Sequence, residues 1–192
     1  MSYMKKILIA ILIIGVVIGF YIMYSITQTI FKPITAFNNE EAYIYIPSDA
    51  DFLFVLKEID PLVTDTEAFK TLAAKTGYTV KGGKYTIRNG MNSNDIIKVL
   101  QGKGEMVTVK LPTFMEHKKF KDIVKLVSDQ IEASESDLRE KLSDTLYMKK
   151  QGYNPMLVPS IYLGHTYTIP WNTSAEEFRT IVFKTYEKRK KQ

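Results

Sequence analysis

Cysteine is missing from the chain, which removes disulfides, thiolate nucleophiles, thiolate metal ligands and a lipoprotein anchor. Histidine is nearly as scarce, with only His117 and His165 present. A zinc site would need carboxylates beside one of them, and the spacing places none there, so no metal is expected. Gly-x-Ser-x-Gly does not occur. Gly102-Lys103-Gly104 lacks the strand-and-helix setting of a phosphate-cradling loop, so no nucleotide cofactor is expected either. The widest gap is in charge: from Ile7 to Phe31, 25 residues pass without Asp, Glu, Lys, Arg or His.

That gap is itself a signal. A helix rising about 1.5 Å per residue over this run exceeds the roughly 30 Å hydrocarbon core of a bilayer. The apolar region of a cleaved signal peptide is about 7–15 residues and ends at a small-x-small site. Here the block Ile7 to Tyr24 is longer, and no Ala-x-Ala follows it. Tyr21 and Tyr24 suit the outer interface of a membrane, and Lys5 and Lys6 precede the run. The expectation is an uncleaved, single-pass helix in the inner membrane. A short N-terminal tail (1–6) would be cytoplasmic, the helix would cover 7–31, and the rest would be periplasmic. Nucleic acid is then not an expected partner.

The remaining residues suffice for one core or two small ones. The net charge is +5, with the excess concentrated in Lys184, Lys188, Arg189, Lys190 and Lys191 and in Lys118, Lys119, Lys121 and Lys125. Such runs read as solvated helical faces, with attraction to anionic wall polymers or lipid head groups as the sharper alternative.

One local plan, a short alternating strand, a polar turn and a helix, recurs four times. The strands are Tyr43–Ile46, Lys84–Ile87, Val107–Val109 and Thr166–Ile169. The helices carry apolar stripes through Phe52, Val55, Leu56 and Ile59; Ile96, Ile97 and Leu100; Phe120, Ile123, Val124 and Val127; and Phe178, Ile181, Val182 and Tyr186. Thr173 with Glu176 reads as a capping box, and Asn92 or Ser93 can cap the second helix. Further helices are expected over Thr66–Thr76 and Glu135–Lys149. Gly82-Gly83 suggests a tight hairpin between residues 79–81 and 84–86. Pro159 and the segment Gln151–Pro155 read as loop.

The expected fold is α+β: one transmembrane helix followed by two small strand-turn-helix modules. Residues 32–41 form a stalk, 42–103 the first module and 104–192 the second, with the boundary near Gly102-Lys103-Gly104.

The carboxylates offer no reactive pair. Asp49, Asp51 and Glu58 lie on or beside the first helix, and Glu132, Glu135, Asp137 and Glu140 belong to a charged helical face. No catalytic residue is assigned. Glu116-His117 point different ways on a helix. Tyr162, Tyr167 and Trp171 gather in one segment. Aromatic faces suit sugar rings, so Tyr167 and Trp171 are the substrate-binding candidates, while Tyr167 on an alternating strand fits core packing equally well.

Three stretches carry a resemblance to a known family. Val80 through Gly102, containing Gly83-Lys84-Tyr85-Thr86-Ile87, is similar to a glycine-tyrosine strand and its following helix. Val107 to Val127 takes the place of the next strand and helix. Thr166-Tyr167-Thr168-Ile169-Pro170-Trp171-Asn172-Thr173-Ser174 resembles a proline-asparagine-threonine-tyrosine segment and its helix cap. Together they resemble the membrane-bound endolytic murein transglycosylases of the MltG/YceG type, in the form found in Bacteroidota-like bacteria.

The resemblance implies that the first module is LysM-like and that the partners are peptidoglycan glycan strands, the inner membrane and wall-synthesis proteins. It also implies lytic cleavage of glycan between N-acetylmuramic acid and N-acetylglucosamine by one glutamate, with no metal or cofactor. Two departures stand out. The family's proline-asparagine is Gly164-His165 here, and the segment bearing the glutamate has no counterpart up to Gln192. The expectation is a member of the family in cell-wall glycan processing that does not cut as this chain stands. The alternative is a non-enzymatic peptidoglycan-binding or regulatory envelope protein.

Overall fold

The computed structural model describes residues 3–111, 120–154, 161–162 and 164–190. Helix α1 (Tyr3–Phe31) contains Lys5 and Lys6 within its first turns. Over Tyr3–Tyr24 its mean hydropathy is 2.8 and none of it is buried, so it is long and apolar enough to cross a membrane. After it come β1 (Glu41–Ile46), α2 (Phe52–Ile59), a short 3₁₀ turn (Asp60–Leu62), α3 (Thr66–Lys75), β2 (Gly83–Arg88) and α4 (Ser93–Gln101). The remainder is β3 (Met106–Lys110), α5 (Phe120–Ser128), α6 (Glu135–Leu142), α7 (Thr145–Lys150), β4 (Thr166–Pro170) and α8 (Ala175–Lys190). This is the expected α+β composition, with small two-stranded sheets: β1 lies beside β2, and β3 beside β4.

The chain divides into two compact units. The first comprises Met1–Ile44, Asp51–Val80 and Thr86–Gly102. Its helices start on short polar side chains. Asp51 accepts from the Phe54 N–H, Asp65 from the Ala68 N–H and Asn92 from the Asp95 N–H. Each such cap contributes about 1 kcal/mol. The apolar stripes meet as periodicity requires: Val55, Ile59, Phe69, Ala73, Ile96, Ile97 and Leu100 are all buried, with Ile44 and Ile87 from the strands.

In the stretch expected as a stalk, Ile34 is buried. Its N–H donates to Met91 O at 3.0 Å, and its carbonyl accepts from the Thr64 N–H at 2.6 Å. Pro33 and Thr35 form bridges to Asn92 and Val63, so this segment is clamped onto the first unit.

The second unit comprises Tyr45–Ala50, Lys81–Tyr85 and Lys103–Gln192. Strands β3 and β4 pair antiparallel, with Val107 opposite Ile169 and Val109 opposite Tyr167. Alternation turns Tyr167 and Ile169 inward and leaves Thr166, Thr168 and Pro170 outside. Ile123, Val124 and Val127 of α5, Leu138 and Leu142 of α6, Met148 of α7, and Phe178, Val182 and Phe183 of α8 complete the core. Burying each large side chain contributes roughly 1.5–3 kcal/mol.

Three local expectations are corrected. Residues 79–81 form no strand, so there is no hairpin across Gly82-Gly83. The Tyr85 hydroxyl instead donates to Lys81 O at 3.0 Å and holds that stretch as a loop, while β2 takes β1 as its neighbour.

The single helix expected over Glu135–Lys149 is two. Asp144 breaks it, because one carboxylate oxygen accepts from the Tyr147 N–H at 2.9 Å and the other faces buried Arg179 at 3.4 Å. The Arg179 guanidinium lies 3.7 Å from the Tyr147 ring centre, fixing α7 against α8.

The capping box of the last helix is shifted by one residue, to Ser174 and Glu177. The Ser174 hydroxyl accepts from the Glu177 N–H, and the Glu177 carboxylate accepts from the Ser174 N–H. Thr173 is buried and donates to Pro170 O at 2.6 Å.

Candidate functional site: an aromatic surface in the second unit

Of the two aromatic candidates, Tyr167 is a core residue, 4% exposed. Its ring meets Phe178 edge-on at 5.7 Å, and His165 lies 6.0 Å away. Burial pushes its phenol up to about 12, with Arg189 opposing. Burial, then the Arg189 charge, lowers His165 below its ordinary value. Tyr162 is also buried, its hydroxyl donating to Leu142 O at 3.0 Å. Neither tyrosine presents a ring face to a ligand.

Trp171 sits at the turn where Pro170 ends β4, and it is half-buried. Both its backbone groups are held: its N–H donates to Glu105 O at 3.4 Å and its carbonyl accepts from the Glu132 N–H at 2.8 Å. Its indole packs on Tyr45, centroids 5.2 Å apart and planes inclined by 60°. Tyr45 projects from the outer face of β1 and is 43% exposed. Lys84 Nζ stands 5.8 Å from the Tyr45 ring centre and 4.0 Å from the Glu105 carboxylate.

Glu132 is not on a helix, contrary to expectation. It lies in the turn before α6, and its carboxylate accepts from the N–H and the hydroxyl of Ser48, both at 2.7 Å. Tyr45, Lys84, Glu105 and the Glu132–Ser48 contact were not singled out from sequence. The usable signal was Tyr45 alternating with buried Ile44 and Ile46, which marks it as outward-facing.

Beside this surface a groove of about 470 Å³ runs along the start of α8, lined by Pro170, Asn172, Glu176, Thr180 and Lys184 among others. Four of the carboxylates singled out from sequence have structural duties. Asp51 caps α2, Asp137 bonds Ser134, Glu135 faces Lys125 and Arg139, and Glu140 pairs with Lys141. Asp49 is exposed and Glu58 is half-buried.

Lys125 is paired with Asp129 at 3.0 Å. Lys184, Lys188, Arg189 and Lys190 lie on α8, where positive charge in the last turn complements the helix dipole. Glu116, His117, Lys118, Lys119, Pro159 and Lys191 fall outside the described residues. Among the described residues no three of His, Asp and Glu gather as metal ligands.

Comparison with known proteins agrees with the motif reading. Residues 44–192 match the YceG-like family. A crystal structure of a protein described as YceG-like from Listeria monocytogenes is 15% identical, with a TM-score of 0.34 over 79% of this chain. The chain spans 56% of that protein's length. A search of curated proteins gave no match. With more than half of its residues matched to that family, the chain belongs to the YceG-like family.

Proposed function

We propose that this chain is a membrane-anchored peptidoglycan protein that holds glycan strands at the outer face of the inner membrane, as part of MltG-like lytic transglycosylase function. The observation that carries this reading is the family match over 44–192 behind an N-terminal helix able to span a bilayer. The positive-inside bias supports a cytoplasmic position for Lys5 and Lys6, and with it a periplasmic one for the two units. The order β1–α2–α3–β2, with both strands in one sheet, supports the LysM-like reading of residues 42–103. Residues 104–192 then form the start of the family's catalytic region. The role proposed for these residues is association with the glycan, and bond breaking is not assigned to any of the described carboxylates.

The test uses the full chain in detergent, incubated with purified sacculi. The expected result is co-sedimentation without release of 1,6-anhydro-muropeptides. Release by the purified chain would overturn the assignment of a purely holding role, and a chain left wholly in the supernatant would overturn glycan association. Membrane placement is tested by Ile14→Arg. A charge at the centre of a span costs roughly 2.5–3.5 kcal/mol of insertion free energy, so the variant should shift from the membrane to the soluble fraction.

A further inference from the structure

We propose that Tyr45 and Trp171 form a stacking platform for one N-acetylated amino-sugar residue of a β-1,4-linked glycan, with Lys84 and Glu105 at its rim. The proposal rests on the glycan-association reading above and assigns it a place on the molecule.

The argument starts with the rings. Tyr45 is a large aromatic left 43% exposed on the outer face of a strand whose alternate residues are buried. Trp171 is half-buried beside it, at 5.2 Å and an inclination of 60°. Rings inclined in this way do not lie flat on one another, and although the Lys84 ammonium stands over the Tyr45 ring at 5.8 Å from its centre, Tyr45 keeps 43% of its surface exposed. The axial hydrogens of a pyranose form an apolar face that suits the negative face of an aromatic ring. Its hydroxyl and acetamido edge needs hydrogen-bonding groups around that ring.

The rim supplies them. Lys84 and Glu105 stand 4.0 Å apart, joined through the backbone by the Glu105 N–H donating to Lys84 O at 2.8 Å. One cation and one anion together suit a neutral, hydroxyl-rich ligand better than a polyanion such as a phosphate head group.

The platform is also rigid before any ligand arrives. Both backbone groups of Trp171 are hydrogen-bonded, and the Glu132 that accepts Ser48 also donates its N–H to Trp171 O. Groups already immobilised lose little freedom on binding, so more of the contact energy appears as affinity.

Trp171 is the sole tryptophan of the chain, so intrinsic tryptophan emission reports on this surface alone. The full chain in detergent is titrated with the tetramer of N-acetylglucosamine. A saturable change in emission is expected, with Tyr45→Ala weakening the apparent affinity about tenfold and Tyr45→Phe retaining it. Circular dichroism and thermal unfolding of the variants check that they remain folded. A wild-type chain that pellets with sacculi while its emission ignores the tetramer, and whose Tyr45→Ala variant pellets equally well, overturns the platform and leaves glycan association standing. Tetramer binding at this surface without pelleting supports the platform and overturns the peptidoglycan reading. Neither binding nor pelleting overturns both.

Discussion

Glu132 and Ser48, 84 positions apart, are joined by two hydrogen bonds of 2.7 Å, from the serine N–H and hydroxyl to the glutamate carboxylate. The contact ties the turn after β1 to the turn before α6, and through the Glu132 N–H it reaches the Trp171 carbonyl. Sequence offered no sign of it, because a glutamate in a charge-rich stretch reads as solvated.

Removing that carboxylate should loosen the second unit. Charge-assisted bonds near the surface contribute about 1 kcal/mol net, so Glu132→Ala should lower stability by about that amount and Glu132→Gln by less. Urea unfolding of the full chain in detergent measures both. A Glu132→Ala chain as stable as the wild type would show the contact to be energetically neutral.

Gly82 is required for a different reason. A Cβ added there would stand 2.7 Å from Ser48 Cα, and backbone cannot swing aside as a side chain can. Gly82→Ala is expected to cost roughly 1–3 kcal/mol through overpacking. Gly90 has φ +85° but open space around it, so Gly90→Ala should cost only the backbone strain, about 1 kcal/mol. Unfolding midpoints of the two variants should rank in that order.

The cap of α8 distinguishes neighbouring residues. Ser174→Ala removes the hydroxyl that accepts the Glu177 N–H and should cost about 1 kcal/mol. Glu176→Ala leaves the cap intact and removes a 3.3 Å ion pair between an exposed carboxylate and Arg179, so its effect should be smaller. Thermal unfolding of the two variants side by side checks the one-residue shift of the capping box.

Tyr167 makes a prediction at alkaline pH. Its phenol is raised from 10.0 to about 12 by burial. Between those values the unfolded chain releases the proton and the folded chain keeps it. Stability is therefore complete below pH 10 and declines as pH rises through this window. Tyr167→Phe should abolish that part of the decline. Among the described residues the buried hydroxyl has no partner, so the same variant should be neutral or stabilising at pH 7. Chemical unfolding at pH 7, 10 and 11.5 separates the two effects. His165 acts in the opposite direction: lowered from 6.5, it contributes stability above that value that is lost on acidification.

Local periodicity made the regular elements legible. The alternation of Thr166–Ile169 gave β4 to within one residue, and the stripe Phe178, Ile181, Val182 and Tyr186 lies within α8. It failed where one polar side chain chose between equivalent local roles. Thr173 and Ser174 are both capable caps, and the Pro170 carbonyl claimed the threonine. Asp144 looked like one more helix residue until its second oxygen met Arg179, 35 positions away.

The aromatic candidates divided for the same reason. Strand alternation already pointed Tyr167 inward. Trp171 acquired its neighbour Tyr45 only through tertiary folding, which no spacing within the segment encodes.

The clamp on residues 33–35 has a mechanical consequence. With α1 in the bilayer as proposed, only Lys32 and Pro33 separate the end of that helix at Phe31 from buried Ile34. The three residue steps from Phe31 to Ile34 reach at most about 11 Å even when fully drawn out. The first unit therefore has almost no leash: its folded residues begin within a few residues of the end of the apolar rod, and a force applied to it passes straight into that rod.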